Sequence, residues 1–192
     1  VRVAARAVAN GDASAVVSFG NTGALMAASL MELGRIEGVE RPAVIATLPR
    51  SDGGQVVILD LGANVDCKPS HLAQFSVMGR VFAEDVLGVD NPRVGILSNG
   101  EEEGKGNEQV RAAISVLSEM PIRFVGPMEP ADALRGECEV VVCDGFVGNV
   151  MLKSMEAAVE MATKVLREEI LRRPGAKLGV KLLTGAFQQY RN

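Results

Sequence analysis

The sequence predicts an α/β protein built on a mainly parallel sheet, and three observations carry that prediction. Short apolar runs alternate along the chain with longer stretches whose apolar residues recur at helical spacing. Four of the runs feed directly into loops rich in Gly and Asn. The composition is 47% hydrophobic, yet it holds only six Phe, one Tyr and no Trp. Buried parallel strands with helices on both faces have that aliphatic make-up. Alternating strands and helices imply right-handed crossovers within one sheet.

The elements follow in order. A helix over 1–10 stops at Asn10-Gly11, and a strand over 15–19 leads through Gly20-Asn21-Thr22-Gly23 into a helix over 22–34 closed by Gly34. Strands are expected at 43–48 and 55–60. The second runs into Asp60-Leu61-Gly62-Ala63-Asn64-Val65-Asp66 and then a helix over 69–87. Pro69 suits the first turn of that helix, Gly88 its end, and Leu72, Phe75, Val81 and Phe82 give it an apolar face. A strand over 93–98 precedes the loop from Asn99 to Glu108 and a helix over 107–118. Strands over 122–125 and 139–143 come next, the latter running through Asp144-Gly145-Phe146-Val147-Gly148-Asn149 into a long helix over 147–172. Met26 and Met31 read as core packing. No repeat or low-complexity segment interrupts the pattern.

At 192 residues the chain can bury a proper core. Its organisation reads as an α/β body over 1–173 and a short appendage over 174–192. The net charge of −4 hides an asymmetry. Beyond Glu169 there are five basic residues (Arg172, Arg173, Lys177, Lys181, Arg191) and no acidic ones, while the rest holds 15 basic and 24 acidic residues, a balance of −9. A basic tail on an acidic body suits contact with an anionic surface. After Pro174-Gly175, Leu178, Leu182 and Ala186 share a helical face with Leu183 and Phe187 beside it. This predicts a helix lying in a membrane interface or an oligomer contact. The scarcity of aromatics excludes base-stacking nucleic-acid modules. Cys67, Cys138 and Cys143 have no paired spacing, so neither a disulfide framework nor a zinc site is expected, and a cytoplasmic setting follows. No membrane-spanning run or signal peptide is visible. Val1 opens inside the first helix, which reads as a fragment of a longer protein.

If the four runs are parallel strands, their loops meet at the carboxyl edge of the sheet, where open α/β sheets bind ligands. Gly allows close backbone approach, and Asn donates hydrogen bonds without a charge that repels an anion. In Gly20-Asn21-Thr22-Gly23 the backbone amides, the helix dipole and the Thr22 hydroxyl suit phosphate or carboxylate, although this loop taken alone reads first as an ordinary turn with an Asn or Thr cap. The Asn99–Glu108 loop is the most specific. Lys105 between Gly104 and Gly106 offers one cation on a close-approaching backbone, with Asn107 capping the next helix, although no Walker sequence is present. Its adjacent carboxylates, Glu101 to Glu103, otherwise read as a solvated acidic turn.

Asp60, Asn64 and Asp66 are candidates to hold a cation or orient Lys68, or else bond their own turn. Asp144, Gly145, Gly148 and Asn149 make either an oxyanion site at a helix start or a simple turn capped by Asp144. The single His71 lies four residues after Cys67. A Cys–His nucleophilic pair is conceivable, but a buried structural Cys and a surface His are expected instead. No Ser-His-Asp set or dinucleotide fingerprint is present, and neither a metal nor another cofactor is assigned.

Taken together, Gly20 to Met26, Asp60 with Gly62 to Pro69, Gly100 to Glu108 and Asp144 to Asn149 resemble, in order, the PlsX family of bacterial phosphate acyltransferases. The resemblance covers nearly the whole chain. It implies a three-layer α/β/α fold like that of isocitrate and isopropylmalate dehydrogenases and of phosphotransacetylases, assembled as a homodimer. It implies attack of inorganic phosphate on the thioester of acyl-[acyl carrier protein], giving acyl phosphate for phospholipid synthesis. Peripheral membrane contact would correspond to the segment holding Leu178, Leu182, Leu183 and Phe187. An N-terminal Asp-Ala-Met-Gly-Gly-Asp loop and a later Gly-Gly-Ala-Pro stretch, usual in the family, do not occur, so the chain resembles the family's central part. Phe19 stands where a small residue is common. Such chemistry needs the phosphate held, oriented and the oxyanion stabilised. Lys105 and the 20–23 loop, with Asn99, Gly104 and Gly106, would hold phosphate. Asn64, Asn107 or the amides of 145–149 would polarise the carbonyl. The alternatives are a phosphotransacetylase-like enzyme using acyl-CoA and a non-catalytic membrane-bound scaffold for lipid-synthesis enzymes.

Overall fold

The computed structural model describes residues 1–102, 104–173 and 176. Compact units divide after Met151, inside the last helix. In the first unit, α1 (Arg2–Ala9) and α2 (Thr22–Leu33) precede an antiparallel pair, β1 (Ile45–Pro49) and β2 (Gln55–Leu59). Then come α3 (Pro69–Asp85), β3 (Val94–Leu97), α4 (Glu108–Ser118), β4 (Phe124–Met128), α5 (Pro130–Arg135), β5 (Val140–Val142) and the start of α6 (Gly145–Arg172). The sequence reading set its own boundary at 173. Leu178, Leu182, Leu183 and Phe187 lie outside the described residues.

The five strands order as β1-β2-β5-β3-β4. β2, β5, β3 and β4 run parallel, with Val57 opposite Val140 and Val94 opposite Val140, so the expectation of a mainly parallel sheet holds. β1 occupies an edge and ends at Pro49, a position where a missing backbone donor does no harm. Residues of both parities are buried on the central strands: Val57, Leu59, Val140, Val142, Val94 and Ile96 on one face, Val56, Ile58 and Val141 on the other.

α3 lies across β2 and β5 and against α4. Gly79 permits this, because a β-carbon there would meet Val140 and Leu59 side chains within 2.8 Å. Phe75 is fully buried in the cluster with Leu72, Leu117 and the strand valines. Truncating a core Phe to Ala costs about 3–5 kcal/mol. Val81 is exposed, so the apolar face of α3 runs instead through Leu72, Phe75, Ala83 and the half-buried Met78 and Phe82.

Two further local expectations are overturned, and one helix is additional to those expected. Residues 15–19 form no strand, and Val17 and Phe19 are exposed, because these apolar side chains find no paired backbone neighbour. Met31 is exposed and not core. A short helix, α5, occupies 130–135, started by Pro130 with Asp132 and Glu129 bonding each other's backbone.

Candidate active site

Three of the four Gly/Asn loops hang from parallel strands and therefore emerge at one sheet edge. β2 and β5 are neighbours, and their ladder continues past the strand ends: Cys143 N donates to the Leu59 carbonyl (2.8 Å) and Asp60 N to the Cys143 carbonyl (3.0 Å). Beyond it, Gly145 N donates to the Asn64 carbonyl at 2.7 Å. A β-carbon at Gly145 would sit 2.8 Å from Asn64 N, and at Gly148 it would collide with the Asp60 carbonyl. Glycine at both positions lets α6 begin in contact with the loop after β2.

Asp60 organises that loop. It is fully buried, and its carboxylate accepts from Val44 N (3.0 Å), Ala63 N (3.0 Å), Asn64 N (2.7 Å) and the Asn64 side-chain amide (2.7 Å). The same Asn64 amide donates to the Pro42 carbonyl at 2.8 Å. Both amide protons of Asn64 are therefore engaged, and its role is to hold the loop. Asp60 follows the turn-bonding reading, with N–H groups filling its oxygens. Gly62 has a φ of +120° and lies beside Asn149, whose Cβ would stand 3.6 Å from a β-carbon there. Asn149 itself is exposed.

The loop after β3 joins from the other side. Asn99 Oδ1 accepts from Gly106 N (2.9 Å), and Gly104 and Gly106 adopt φ of +88° and +85°. Asn107 caps α4 through Val110 N at 2.8 Å, as expected. In the first turn of α4, Gln109 Nε2 donates to the Cys67 carbonyl at 2.6 Å, joining this loop to the one after β2. Lys105 is about half exposed, with its ammonium 4.0 Å from Glu102. Glu101 is held above its usual carboxylate range by the charge of Asp132, in an acidic surface that also includes Glu102 and Glu129.

The fourth loop stands apart. Asn21 caps α2 through Ala24 N (3.0 Å), and Gly20, Asn21, Thr22 and Gly23 are exposed. Among the described residues no hydrogen bond connects 20–23 with the other three loops, and without a strand at 15–19 it does not hang from the sheet edge. Asp144 acts as the capping residue of α6, accepting from Val147 N at 2.8 Å. Gly145 N is engaged by Asn64, and Val147 N and Gly148 N by Asp144, so these three amides of the expected oxyanion site serve the fold. Asn149 follows in the same turn, exposed beside Gly62.

The Cys–His idea fails on chemistry. His71 is buried, at 3% exposure, rather than on the surface. Its Nδ1 accepts from Lys68 N (3.1 Å) and its Nε2 lies 3.0 Å from Glu40 Oε2, so the neutral ring donates through Nε2. Burial, then the negative charge of Asp60, pushes the Cys67 thiol up to about 11, away from thiolate chemistry. Lys68 is exposed beside this site. Gln109 and Pro42 carry no signal in the sequence because their partners lie 42 and 22 residues away. Ser98 could have been suspected from its place at a strand end. Its Oγ is buried without a partner among the described residues.

A model of the fatty acid synthesis protein family matches residues 1–192. The chain belongs to that family. Members at 50% identity over 181 residues include the phosphate acyltransferase of Bacillus cereus strain G9842, aligned over 94% of this chain and 55% of the relative. That of Trichlorobacter lovleyi is 47% identical over 191 residues, covering 100% of this chain and 55% of the relative. The resemblance to the PlsX family is thereby upheld, and the chain spans about half the length of these family members. Solved structures agree on the fold. A phosphotransacetylase from Streptococcus pyogenes superposes with a TM-score of 0.64 at 17% identity, over 83% of this chain and 55% of the other. The EutD phosphotransacetylase from Staphylococcus aureus gives 0.58 at 19% identity, again over 83% and 55%. No helix among the described residues is long and apolar enough to cross a membrane.

Proposed function

We propose that this chain carries the reaction loops of a phosphate acyltransferase that moves an acyl group from acyl-[acyl carrier protein] to inorganic phosphate in bacterial phospholipid synthesis. A phosphate oxygen bonds to the thioester carbonyl carbon, the C–S bond breaks, and acyl phosphate leaves beside free carrier-protein thiol, which takes up the proton. Phosphate is already a nucleophile, so the protein's work is holding, orienting and polarising. Orientation can supply roughly 7–11 kcal/mol and one oxyanion donor about 3–4 kcal/mol.

The observation that carries this reading is the linkage of the loops after β2, β3 and β5 through Gly145–Asn64 and Gln109–Cys67 hydrogen bonds. Lys105, with Asn99, Gly104, Gly106 and the first turn of α4, holds the phosphate. Asn149, over Gly62, polarises the carbonyl, and the exposed Lys68 adds a second cation for the substrate. Asp60, Asn64, Asn107 and Asp144 keep these donors in place. The curated relatives named phosphate acyltransferase support the reaction class.

The same reading takes the fold to the three-layer architecture of isocitrate and isopropylmalate dehydrogenases. It makes the protein a cytoplasmic homodimer with peripheral membrane contact through Leu178, Leu182, Leu183 and Phe187, supported by the basic tail. The test uses protein extending to the length of the curated relatives. Lys105→Ala is expected to lower acyl-phosphate formation about a hundredfold, since orientation and charge stabilisation act together on one anion. Unchanged turnover removes Lys105 from the site, and turnover with acyl-CoA in preference to carrier-linked acyl groups selects the phosphotransacetylase-like alternative.

A further inference from the structure

An apolar groove of about 220 Å³ lies between α2 and α3. Met26, Leu30 and Leu33 of α2 form one wall, Ile36 and Val39 the floor of the next segment, and Met78 of α3 the other wall. Met26 to Leu33 spans about 10 Å of helix. The groove is preformed, because three hydrogen bonds hold the segment after α2, two of them to Gln74 of α3. Arg35 Nη1 donates to the Glu40 carbonyl (2.7 Å), Gln74 Nε2 donates to the Gly38 carbonyl (3.1 Å), and Glu40 N donates to Gln74 Oε1 (2.8 Å).

The groove borders the segment that holds the loop after β2. Pro42 lines it, and the Pro42 carbonyl holds the Asn64 side chain at 2.8 Å. Ala43 lines it too, next to Val44, whose amide bonds Asp60. Pro42 therefore borders the groove and also holds, through Asn64, the loop that carries Gly62.

We propose that this groove receives the hydrocarbon chain of the acyl substrate, with the thioester carbonyl lying over Gly62 beside Asn149. The inference rests on the proposed acyl transfer. Its own content is where the chain lies and that the groove sets chain-length preference. The crevice then has two chemically opposite sides, with Lys105 and the start of α4 holding phosphate and the α2–α3 groove holding the apolar tail. Each methylene moved from water into such a lining strengthens binding by about fourfold.

The test compares butyryl- and palmitoyl-[acyl carrier protein] with protein extending to the length of the curated relatives. Ser29 also lines the groove, and Ser29→Phe fills it. The ratio of palmitoyl to butyryl kcat/KM is expected to fall at least about tenfold. Leu30→Gln, at a half-exposed position that tolerates polarity, is expected to shift the ratio in the same direction and serves if the first variant does not fold. An unchanged ratio in a folded variant overturns the inference. So does a change in oligomeric state with an unchanged ratio, which would assign the groove to a second copy of the chain. Absence of acyl phosphate from either substrate in the unmodified protein would instead sink the acyl-transfer reading itself.

Discussion

Gly148, in the first turn of α6, packs against the backbone carbonyl of Asp60 with no room for a β-carbon between them. This contact joins the strand ends of β2 and β5 into one platform, and it explains why α6 can deliver Asn149 to the side of Gly62.

Replacing Gly148 by Ala should therefore push α6 away from the loop after β2. The expected loss is about 2–4 kcal/mol in urea unfolding, the range for overpacking against an unyielding backbone. Gly20→Ala is the contrast. Its added carbon would meet only the Ser18 hydroxyl, at 3.4 Å, so a change within about 0.5 kcal/mol is expected.

Asp60→Asn keeps the shape but turns an amide NH₂ toward donors that now find a carboxylate oxygen. The buried carboxylate accepts four N–H bonds from Val44, Ala63 and Asn64. A destabilisation of about 2–4 kcal/mol is expected by denaturant titration, together with loss of phosphate binding as Asn64 is released.

Glu139, at the start of β5, links Arg50 and Arg93. Burial alone would raise its pKa, but hydrogen bonds from the Arg93 side chain and backbone and from Arg50 bring it down to about 2, from an ordinary 4.5. A carboxylate depressed on folding stabilises the protein above its unfolded pKa. That contribution is lost as pH falls from about 4.5 towards 2. Unfolding free energies measured from pH 7 to 3 should fall more steeply for the native chain than for Glu139→Gln, by on the order of 1–3 kcal/mol over the window. Parallel curves would refute the assignment.

His71 clamps the segment holding Glu40 to the start of α3. Asn in its place keeps an acceptor near the Lys68 amide, whereas Phe keeps only bulk. His71→Asn should retain more stability than His71→Phe, with the Phe variant losing about 1–3 kcal/mol for the unpaired Lys68 amide and Glu40. Thermal melts of the two variants decide the order.

The crevice was legible where chemistry is local. Asn107 and Asn21 stand immediately before helices, and an Asx residue in that place caps whatever the remainder of the chain does. Asp144 at the end of a valine run gave the same signal. Other roles were hidden. Asn64 reads as a ligand donor until Asp60 and Pro42 are seen to engage both its amide protons. His71 reads as a surface residue until α3 turns it inward towards Glu40.

The strand expected at 15–19 shows the limit most directly. Its valines have the right propensity, but a strand exists only when a neighbour pairs its backbone, and no local pattern encodes that neighbour. Turns, caps, helical spacing and the aliphatic runs were set by the sequence itself, because they depend on residues within a few positions of one another. Which loops share an edge, that α6 abuts Asp60 through two glycines, and that Pro42 both lines an apolar groove and holds Asn64 were decided only in three dimensions, because each depends on contacts across 22 to more than 80 residues of chain.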